Sequence, residues 1–180
     1  MSSTYQNTVW RDWQEKAAYL DGCALLESTS SPVERVAAMF REIKPDSRRA
    51  LAIYQWVRDR IRYVRDPKGP DGRRREEFAD CPTILARKFD DCDGKVRVFC
   101  AICHACDLDA RVRPVVRNLG AGPDAENFLH VQAEVHLPEL AHPNRRPDGW
   151  LPVELILADV PMGYGCELAR RDGRGQYVYS

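Results

Sequence analysis

The spacing of apolar residues changes near residue 108, and this change most constrains the fold. Upstream, apolar side chains recur every three or four residues, which is typical of amphipathic helices. Downstream, residues 130–137 read HVQAEVHL and alternate polar with apolar side chains, which is typical of a strand with two different faces. Residues 110–116 and 150–157 are also strand-like, and turn-rich segments separate the three. Helices followed by an antiparallel meander predict an α+β fold.

Four helices are predicted before residue 92, over 4–20, 31–43, 46–63 and 82–88. In the second helix we expect Ser31 at the N-cap, Pro32 at the first helical position and Glu34 closing a capping box. The third helix is expected to bury a stripe formed by Leu51, Tyr54, Val57 and Ile61, with Ala50 and Ile53 beside it.

Length and charge limit the classes of function. The 180 residues suit one domain, with a helical part over 1–66, a loop over 67–80, a core over 81–160 and a tail over 161–180. Lys plus Arg and Asp plus Glu balance at 27 each, so no net charge attracts nucleic acid or an acidic membrane. No apolar run approaches the roughly 20 residues of a membrane span. The N-terminus lacks a signal-like apolar segment, and the seven cysteines are odd in number, so we expect reduced thiols in the cytoplasm.

Four cysteines lie within residues 89–111, FDDCDGKVRVFCAICHACDLDAR, and several interpretations compete. The string Cys100-Ala-Ile-Cys103-His104 resembles a c-type haem attachment site, which normally needs an exported chain. Cys100, Cys103 and Cys106 have the spacing that begins an iron–sulfur run but lack its fourth cysteine, and zinc would need Cys81 or His104 as a further ligand. On a helix from Cys92 to Asp107 the three cysteines instead share one apolar arc, so we expect them in the core, without metal or cofactor.

Cys92 differs from these three because it lies between two aspartates, at the predicted start of the helix. The unpaired N–H groups of a helix N-terminus favour a thiolate, whereas the flanking carboxylates oppose it. A base is therefore needed, most naturally a histidine. His104 lies three turns along the same helix, about 18 Å away, and His142 is in a loop expected to be solvated. His130, at the start of a strand, is the best candidate.

A carboxylate should orient the imidazole of such a histidine. If the strands 130–137 and 150–157 pair antiparallel, the side chain of Glu154 can reach His130. Glu134 and Asp159 are its rivals. Trp150 is expected to pack on the His130 ring, to line a substrate groove, or to fill the sheet core.

Three segments resemble the conserved blocks of the transglutaminase-like superfamily. They are DDCDGKVRVFCAICHACDLDARVRPV (90–115), FLHVQAEVHL (128–137) and GWLPVELIL (149–157). They resemble an Asp-Cys-Asp helix start, a His-Val-x-x-Glu-Val strand and a Trp-x-Pro-Val-Asp strand. Upstream, 50–66 and 81–92 resemble the helix and the approach that precede the nucleophile, so the resemblance covers about 48–159. The chain departs from the pattern at Glu154, where the family usually has Asp, and at Gly94, where it often has a second acid.

The resemblance implies a papain-like α+β domain with Cys92 as nucleophile, His130 as general base and acid, and Glu154 as orienter. It implies a thiol-dependent peptidase, amidase or acyl transferase that acts on a protein or peptide through a thioester acyl-enzyme. The string Tyr-Val-Arg-Asp-Pro at 63–67 is similar to phage and prophage members. The alternative is therefore an inactive scaffold in a virion, with other virion or assembly proteins as partners.

Overall fold

The helical spacing of the N-terminal half produces helices, and the alternating segments produce a sheet. The structure, a computed structural model, describes residues 13–68, 70, 77–118, 127–157, 159–165, 169–171 and 177–179. Within these residues the helices are α1 (Trp13–Glu27), α2 (Ser31–Ala37), α3 (Asp46–Arg60), α4 (Cys81–Arg87) and α5 (Cys92–Ala105). The strands are β1 (Arg62–Tyr63), β2 (Phe89–Asp90), β3 (Ala110–Asn118), β4 (Asn127–His136), β5 (Trp150–Val153), β6 (Ala169–Arg171) and β7 (Tyr177–Tyr179).

The main sheet is the predicted antiparallel meander, in the order β3-β4-β5. Arg111 lies opposite Glu134 on the neighbouring strand, and Val115 lies opposite His130. On the other edge of β4, His136 lies opposite Trp150. Helices packed with an antiparallel sheet make an α+β fold, so the predicted fold class is confirmed.

Helix α5 is the centre of the core, in contact with the other four helices and with β3 and β4. Its residues from Asp93 to Cys103 are all buried. Cys100, Cys103 and Cys106 have no exposed surface, which confirms their predicted place in the core. Burial raises the pKa of all three thiols, so they remain protonated and behave as small apolar side chains.

Several predicted helix boundaries are wrong. Within the described residues α1 continues to Glu27, seven residues beyond the predicted end, and the predicted start at residue 4 lies outside those residues. Ser30, not Ser31, is the N-cap of α2 and makes no side-chain cap bond, while Glu34 pairs with Arg41 instead of closing a capping box. In α3, which ends at Arg60, Leu51 is 39% exposed and does not join the buried stripe.

Two short strand pairs were not predicted. Strands β1 and β2 pair in parallel and set Tyr63 beside Asp90, two residues before Cys92. Strands β6 and β7 pair antiparallel within the predicted tail. Half of the predicted loop at 67–80, residues 69 and 71–76, lies outside the described residues. In the part of the chain that the structure describes, no helix has both the length and the apolar character to span a membrane.

Candidate active site

Cys92 is the first residue of α5, and the preceding aspartate fixes this helix start. The Asp91 carboxylate accepts the backbone N–H of Asp93 at 2.9 Å and that of Gly94 at 3.3 Å, which makes it the N-cap. The Asp91 carbonyl accepts the N–H of Lys95 at 3.2 Å. The Cys92 side chain, which is half-buried, therefore leaves a helix N-terminus of fixed geometry.

Gly94 is required by the close approach of a second carboxylate. A Cβ atom at this position would lie 2.3 Å from the Cγ atom of Asp90. The Asp90 side chain is held there because it accepts the N–H of Asp91 at 2.9 Å and pairs with Arg87 at 2.7 Å. This contact gives a physical reason for glycine where the family pattern often has an acid.

His130 and Glu154 form a direct hydrogen bond. The Nε2 atom of His130 lies 2.7 Å from Oε2 of Glu154, and the two residues are 3% and 0% exposed. The other carboxylate oxygen, Oε1, accepts the N–H of Ile156 at 2.8 Å. Strand β5 ends at Val153, so Glu154 follows the strand directly and is held through both of its oxygens.

Cys92 lies against the same part of β4. Its sulfur takes part in a hydrogen bond with the backbone of Val131, the residue that follows His130. The structure thus brings His130 and Glu154 into contact and places Cys92 beside the neighbour of His130. Their catalytic roles remain predictions.

The surroundings of Cys92 favour its thiol form. Burial is the largest effect that raises its pKa, and the charges of Asp93 and Asp91 raise it further. The backbone of Val131 and the charge of Lys16 act in the opposite direction. These effects therefore outweigh the predicted stabilisation of a thiolate by the helix N-terminus. A base has to remove the thiol proton when the sulfur reacts.

A cluster of carboxylates surrounds this helix start. The pKa of Asp91 is raised to about 9, first by burial and then by Asp93, Asp66 and Asp90. The pKa of Asp66 is raised to about 6, mainly by burial. Among the described residues, a possible metal-ligand group is formed by Asp91, Cys92 and Asp93, whose ligand atoms lie within 4.8 Å of one another. Asp93 is already paired with Lys16 at 2.5 Å, and Asp91 caps the helix, so both carboxylates have protein partners.

The sequence places this site within a known family. The family model of the Transglutaminase-like superfamily matches residues 34–155, which include Cys92, His130 and Glu154. The chain belongs to the transglutaminase-like superfamily. No curated protein matches its sequence.

Three solved structures are similar to this superfamily member. A candidate protease from Parabacteroides distasonis has a TM-score of 0.55 at 11% identity, over 81% of this chain and 27% of its own. A candidate cysteine protease from Cytophaga hutchinsonii has a TM-score of 0.47 at 15% identity, over 69% of this chain and 37% of its own. The periplasmic domain of TgpA from Pseudomonas aeruginosa, bound to ethylmercury, has a TM-score of 0.48 at 17% identity, over 76% and 48%. The chain thus spans less than half the length of each of these proteins. The similarity to the Parabacteroides distasonis structure supports the fold.

Glu134 and Asp159, the other two carboxylates considered as partners of His130 in this transglutaminase-like chain, have different surroundings. Glu134 is buried and bound by three arginines: Arg111 at 2.7 Å, Arg113 at 3.1 Å and Arg146 at 3.2 Å. Asp159 is exposed. Neither arrangement is that of a carboxylate held against His130.

Trp150 lies away from His130. It is opposite His136, six residues or about 20 Å along β4 from His130. Its ring packs against the His136 ring at 5.2 Å and under the Arg111 guanidinium at 3.9 Å. The ring does not pack on His130, and its role in substrate binding stays a prediction that this packing does not support.

Sequence reasoning missed two residues near Cys92 and misjudged one histidine. Lys16 on α1 and Tyr63 on β1 both lie close enough for charge interactions with Cys92. Lys16 belongs to no motif, and the string at 63–67 that begins with Tyr63 does not link it to Cys92. Both residues are far from Cys92 in the chain, so no local signal places them near it. His142 was expected to be solvated, but it is half-buried against Tyr164, with ring centroids 5.7 Å apart.

Proposed function

We propose that the protein is a thiol-dependent hydrolase of amide bonds, a peptidase or amidase, in which Cys92, His130 and Glu154 act as a catalytic triad. The observation that supports this most is the buried hydrogen bond between His130 and Glu154 beside the helix start that carries Cys92. A carboxylate, an imidazole and a cysteine in this order form the arrangement that thiol enzymes use.

In the proposed reaction His130 acts first as a base. Its Nε2 atom is hydrogen-bonded to Glu154, so Nδ1 is the atom that takes the Cys92 proton. At the same time the Cys92 sulfur attacks the carbonyl carbon of the substrate amide. A carbon–sulfur bond forms and the carbonyl electrons move to oxygen. When this intermediate collapses, the carbon–nitrogen bond breaks and the leaving amine takes the proton from His130, which leaves a thioester. Water then attacks the thioester, gives a proton to His130, and the released Cys92 sulfur recovers that proton.

Glu154 fixes the imidazole for both steps. Its carboxylate keeps a proton on Nε2 and stabilises the positive charge that forms on the ring. The glutamate side chain is one methylene longer than the usual aspartate. The backbone N–H of Ile156 donates a hydrogen bond to Oε1 at 2.8 Å and so holds the longer side chain in one position.

The oxyanion of the intermediate needs a donor near the sulfur. The Asp91 carboxylate accepts the N–H groups of Asp93 and Gly94, the two residues after Cys92. We assign the Cys92 backbone N–H as the donor because it belongs to the residue that attacks.

Alkylation of Cys92 across the pH range tests the triad without a known substrate. Iodoacetamide labelling between pH 5 and pH 9, mapped by mass spectrometry, is expected to be about 10²-fold slower at Cys92 in His130→Ala, because the base is lost. His136→Ala is the matched control, since His136 lies on the same strand but bonds to the Asp148 carbonyl. Equal labelling in all three proteins would contradict the triad.

Product analysis separates hydrolysis from acyl transfer. Peptide mixtures are incubated with the protein in the presence and absence of a fluorescent primary amine. We expect new peptide termini as the main product, and the label on glutamine side chains would instead assign an acyl transferase.

One observation favours the alternative, a catalytically inactive scaffold such as a virion assembly protein. The pKa of Cys92 is raised by burial and by its neighbouring carboxylates, which disfavours the nucleophilic form. Slow labelling of Cys92 that does not depend on His130 would support this alternative. In either case we propose a single domain over 1–180 with reduced thiols, as in the cytoplasm.

A further inference from the structure

A buried ion pair joins α1 to the residue that follows the candidate nucleophile. The Nζ atom of Lys16 lies 2.5 Å from Oδ2 of Asp93, and the two residues are 4% and 5% exposed. The Lys16 ammonium also lies 5.4 Å from the centre of the Phe78 ring. Lysine and aspartate are rarely buried unless they are paired, so this contact fixes both side chains.

The two oxygens of Asp93 face different partners. While Oδ2 binds Lys16, Oδ1 lies 3.7 Å from the Cys92 sulfur and accepts the hydrogen bond of its thiol. A carboxylate in this position opposes negative charge on the sulfur. The Lys16 ammonium, on the far side of this carboxylate, partly cancels the repulsion between the carboxylate and a thiolate.

We propose that Lys16 is a positioning residue for the nucleophile, which holds the Asp93 carboxylate and offsets its charge so that negative charge can form on the Cys92 sulfur. This inference rests on the proposed function of Cys92. Lys16 binds the Asp93 carboxylate, and its charge acts on the sulfur from the far side of that carboxylate.

Several charged or titratable groups lie near Cys92 or its carboxylates. They come from α1, from β1 and the chain after it, from β2 and from the start of α5 itself, and they are Lys16, Tyr63, Asp66, Asp90, Asp91 and Asp93. The proposed base, His130, lies on β4, next to the Val131 backbone that bonds to the sulfur. Among them Lys16 is the cation whose charge lowers the pKa of Cys92. Loss of this one charge should therefore shift the titration of Cys92, because the carboxylates are the same residues in the wild type and in the Lys16 variant.

The test is the pH midpoint of Cys92 alkylation by iodoacetamide, in the full chain. In Lys16→Met the midpoint should rise by about one pH unit. At a fixed pH below the midpoint, labelling should therefore be about tenfold slower than in the wild type. Asp93→Asn should lower the midpoint, and the double variant should return it to near the wild-type value. Lys16→Arg keeps the charge and should retain most of the wild-type rate.

The second α1–α5 ion pair supplies the control for a purely structural effect. Glu27 accepts the Nε–H of Arg97 at 2.9 Å, and Glu27→Gln weakens the contact between the same two helices without changing the charge beside Cys92. An unchanged midpoint in Lys16→Met, or an equal shift in Glu27→Gln, would overturn the proposal. If Lys16→Met does not fold, the midpoint should still be higher in the double variant than in Asp93→Asn, and equal midpoints would overturn the proposal.

This readout is separate from the test of the triad. The midpoint is measured on the thiol itself, so a shift in Lys16→Met stands even if the protein hydrolyses no amide. Conversely, His130-dependent labelling with no response to Lys16 would leave the proposed function intact and remove only this inference.

Discussion

Glu134 on β4 and Glu154 just after β5 are both buried carboxylates, and their neighbours give them different chemistry. Glu154 binds one imidazole and one backbone N–H, so its charge acts on a ring that can take and return a proton. Glu134 binds three guanidinium groups, which remain charged at all physiological pH values and exchange no proton with it. Glutamate thus has a proposed catalytic role at position 154 and a structural role at position 134.

Substitution of Glu154 should reduce reactivity, because the charge that supports the imidazole is lost. In Glu154→Gln we expect Cys92 alkylation and any turnover to fall by about 10²- to 10⁴-fold. In Glu154→Asp the carboxylate is kept but withdrawn by one methylene, so a smaller loss, about tenfold, is expected. Rate constants at pH 7 measure both effects.

The matched control for this prediction is Glu134→Gln. It should lower the free energy of unfolding by about 1–3 kcal/mol, since three partly exposed arginines lose their common partner. Reactivity of the folded fraction should change little. A loss of reactivity in Glu134→Gln as large as that in Glu154→Gln would contradict the assignment of Glu154.

At the residue scale, the sequence predicts which of these side chains meet better than it predicts their charge states. The predicted antiparallel pairing of β4 with β5 is present, and Glu154, which follows β5 directly, meets His130 as expected. The raised pKa of Cys92 could not be predicted in this way. It depends on burial, which is set by how α1, β1 and β4 close around the helix start.

At the scale of elements, the start of α5 combines a helix cap with a strand pair. The cap, Asp91, has a local sequence signal, because aspartate before an apolar periodic segment favours a helix start. The pairing of β1 with β2 has none, because each strand has two residues and the partners are 27 positions apart. Long helices and strands were therefore predicted, whereas this pair was missed.

Gly94→Ala tests whether the close packing of Asp90 determines the residue at this position. Alanine should favour a helix by about 1 kcal/mol, but its Cβ would lie 2.3 Å from Asp90 Cγ. Overpacking of this kind costs about 1–3 kcal/mol, so we expect a net loss of stability in urea unfolding. The Asp90 carboxylate should move, and labelling of Cys92 should change with it.

Gly22→Ala in α1 is the control, because a Cβ there meets nothing within 4 Å. This change should stabilise the protein by about 0.5–1 kcal/mol. Stabilisation by both substitutions would mean that the Asp90 contact does not constrain position 94.

At the scale of the whole molecule, α1 joins parts of the chain that are distant in sequence. Lys16 pairs with Asp93, and Glu27 binds Arg97, both on α5. Asp21 accepts the N–H of Val112 on β3 at 2.6 Å. These polar contacts span 70 or more positions, which is why sequence patterns predicted α1 as a helix but not as the element that joins α5 to the sheet.

Buried carboxylates make the stability of the whole molecule depend on pH. The pKa values of Asp21 and Asp66 are raised to about 6 and that of Asp91 to about 9, mainly by burial. A carboxyl group with a higher pKa in the folded protein binds its proton more tightly when folded. The free energy of unfolding therefore falls as pH rises from about 4 through these values. Lys95, whose pKa is lowered to about 8 by burial, acts in the opposite direction only above that pH.

Asp91→Asn isolates the largest of these effects, because asparagine caps a helix as well as aspartate but carries no charge. Between pH 6 and pH 8 the variant should gain stability relative to wild type by up to about 1.4 kcal/mol per pH unit, because folded wild type keeps the Asp91 proton, with a pKa of about 9, and must release it on unfolding. Urea unfolding at pH 6, 7 and 8 measures the difference. Asp80→Asn makes the same change at the exposed N-cap of α4, where the carboxylate accepts the Thr83 N–H at 2.8 Å, and should give a profile parallel to wild type. A parallel profile for Asp91→Asn as well would mean that the Asp91 carboxylate is solvated, and that burial and Asp93, without Asp91, hold the proton of Cys92.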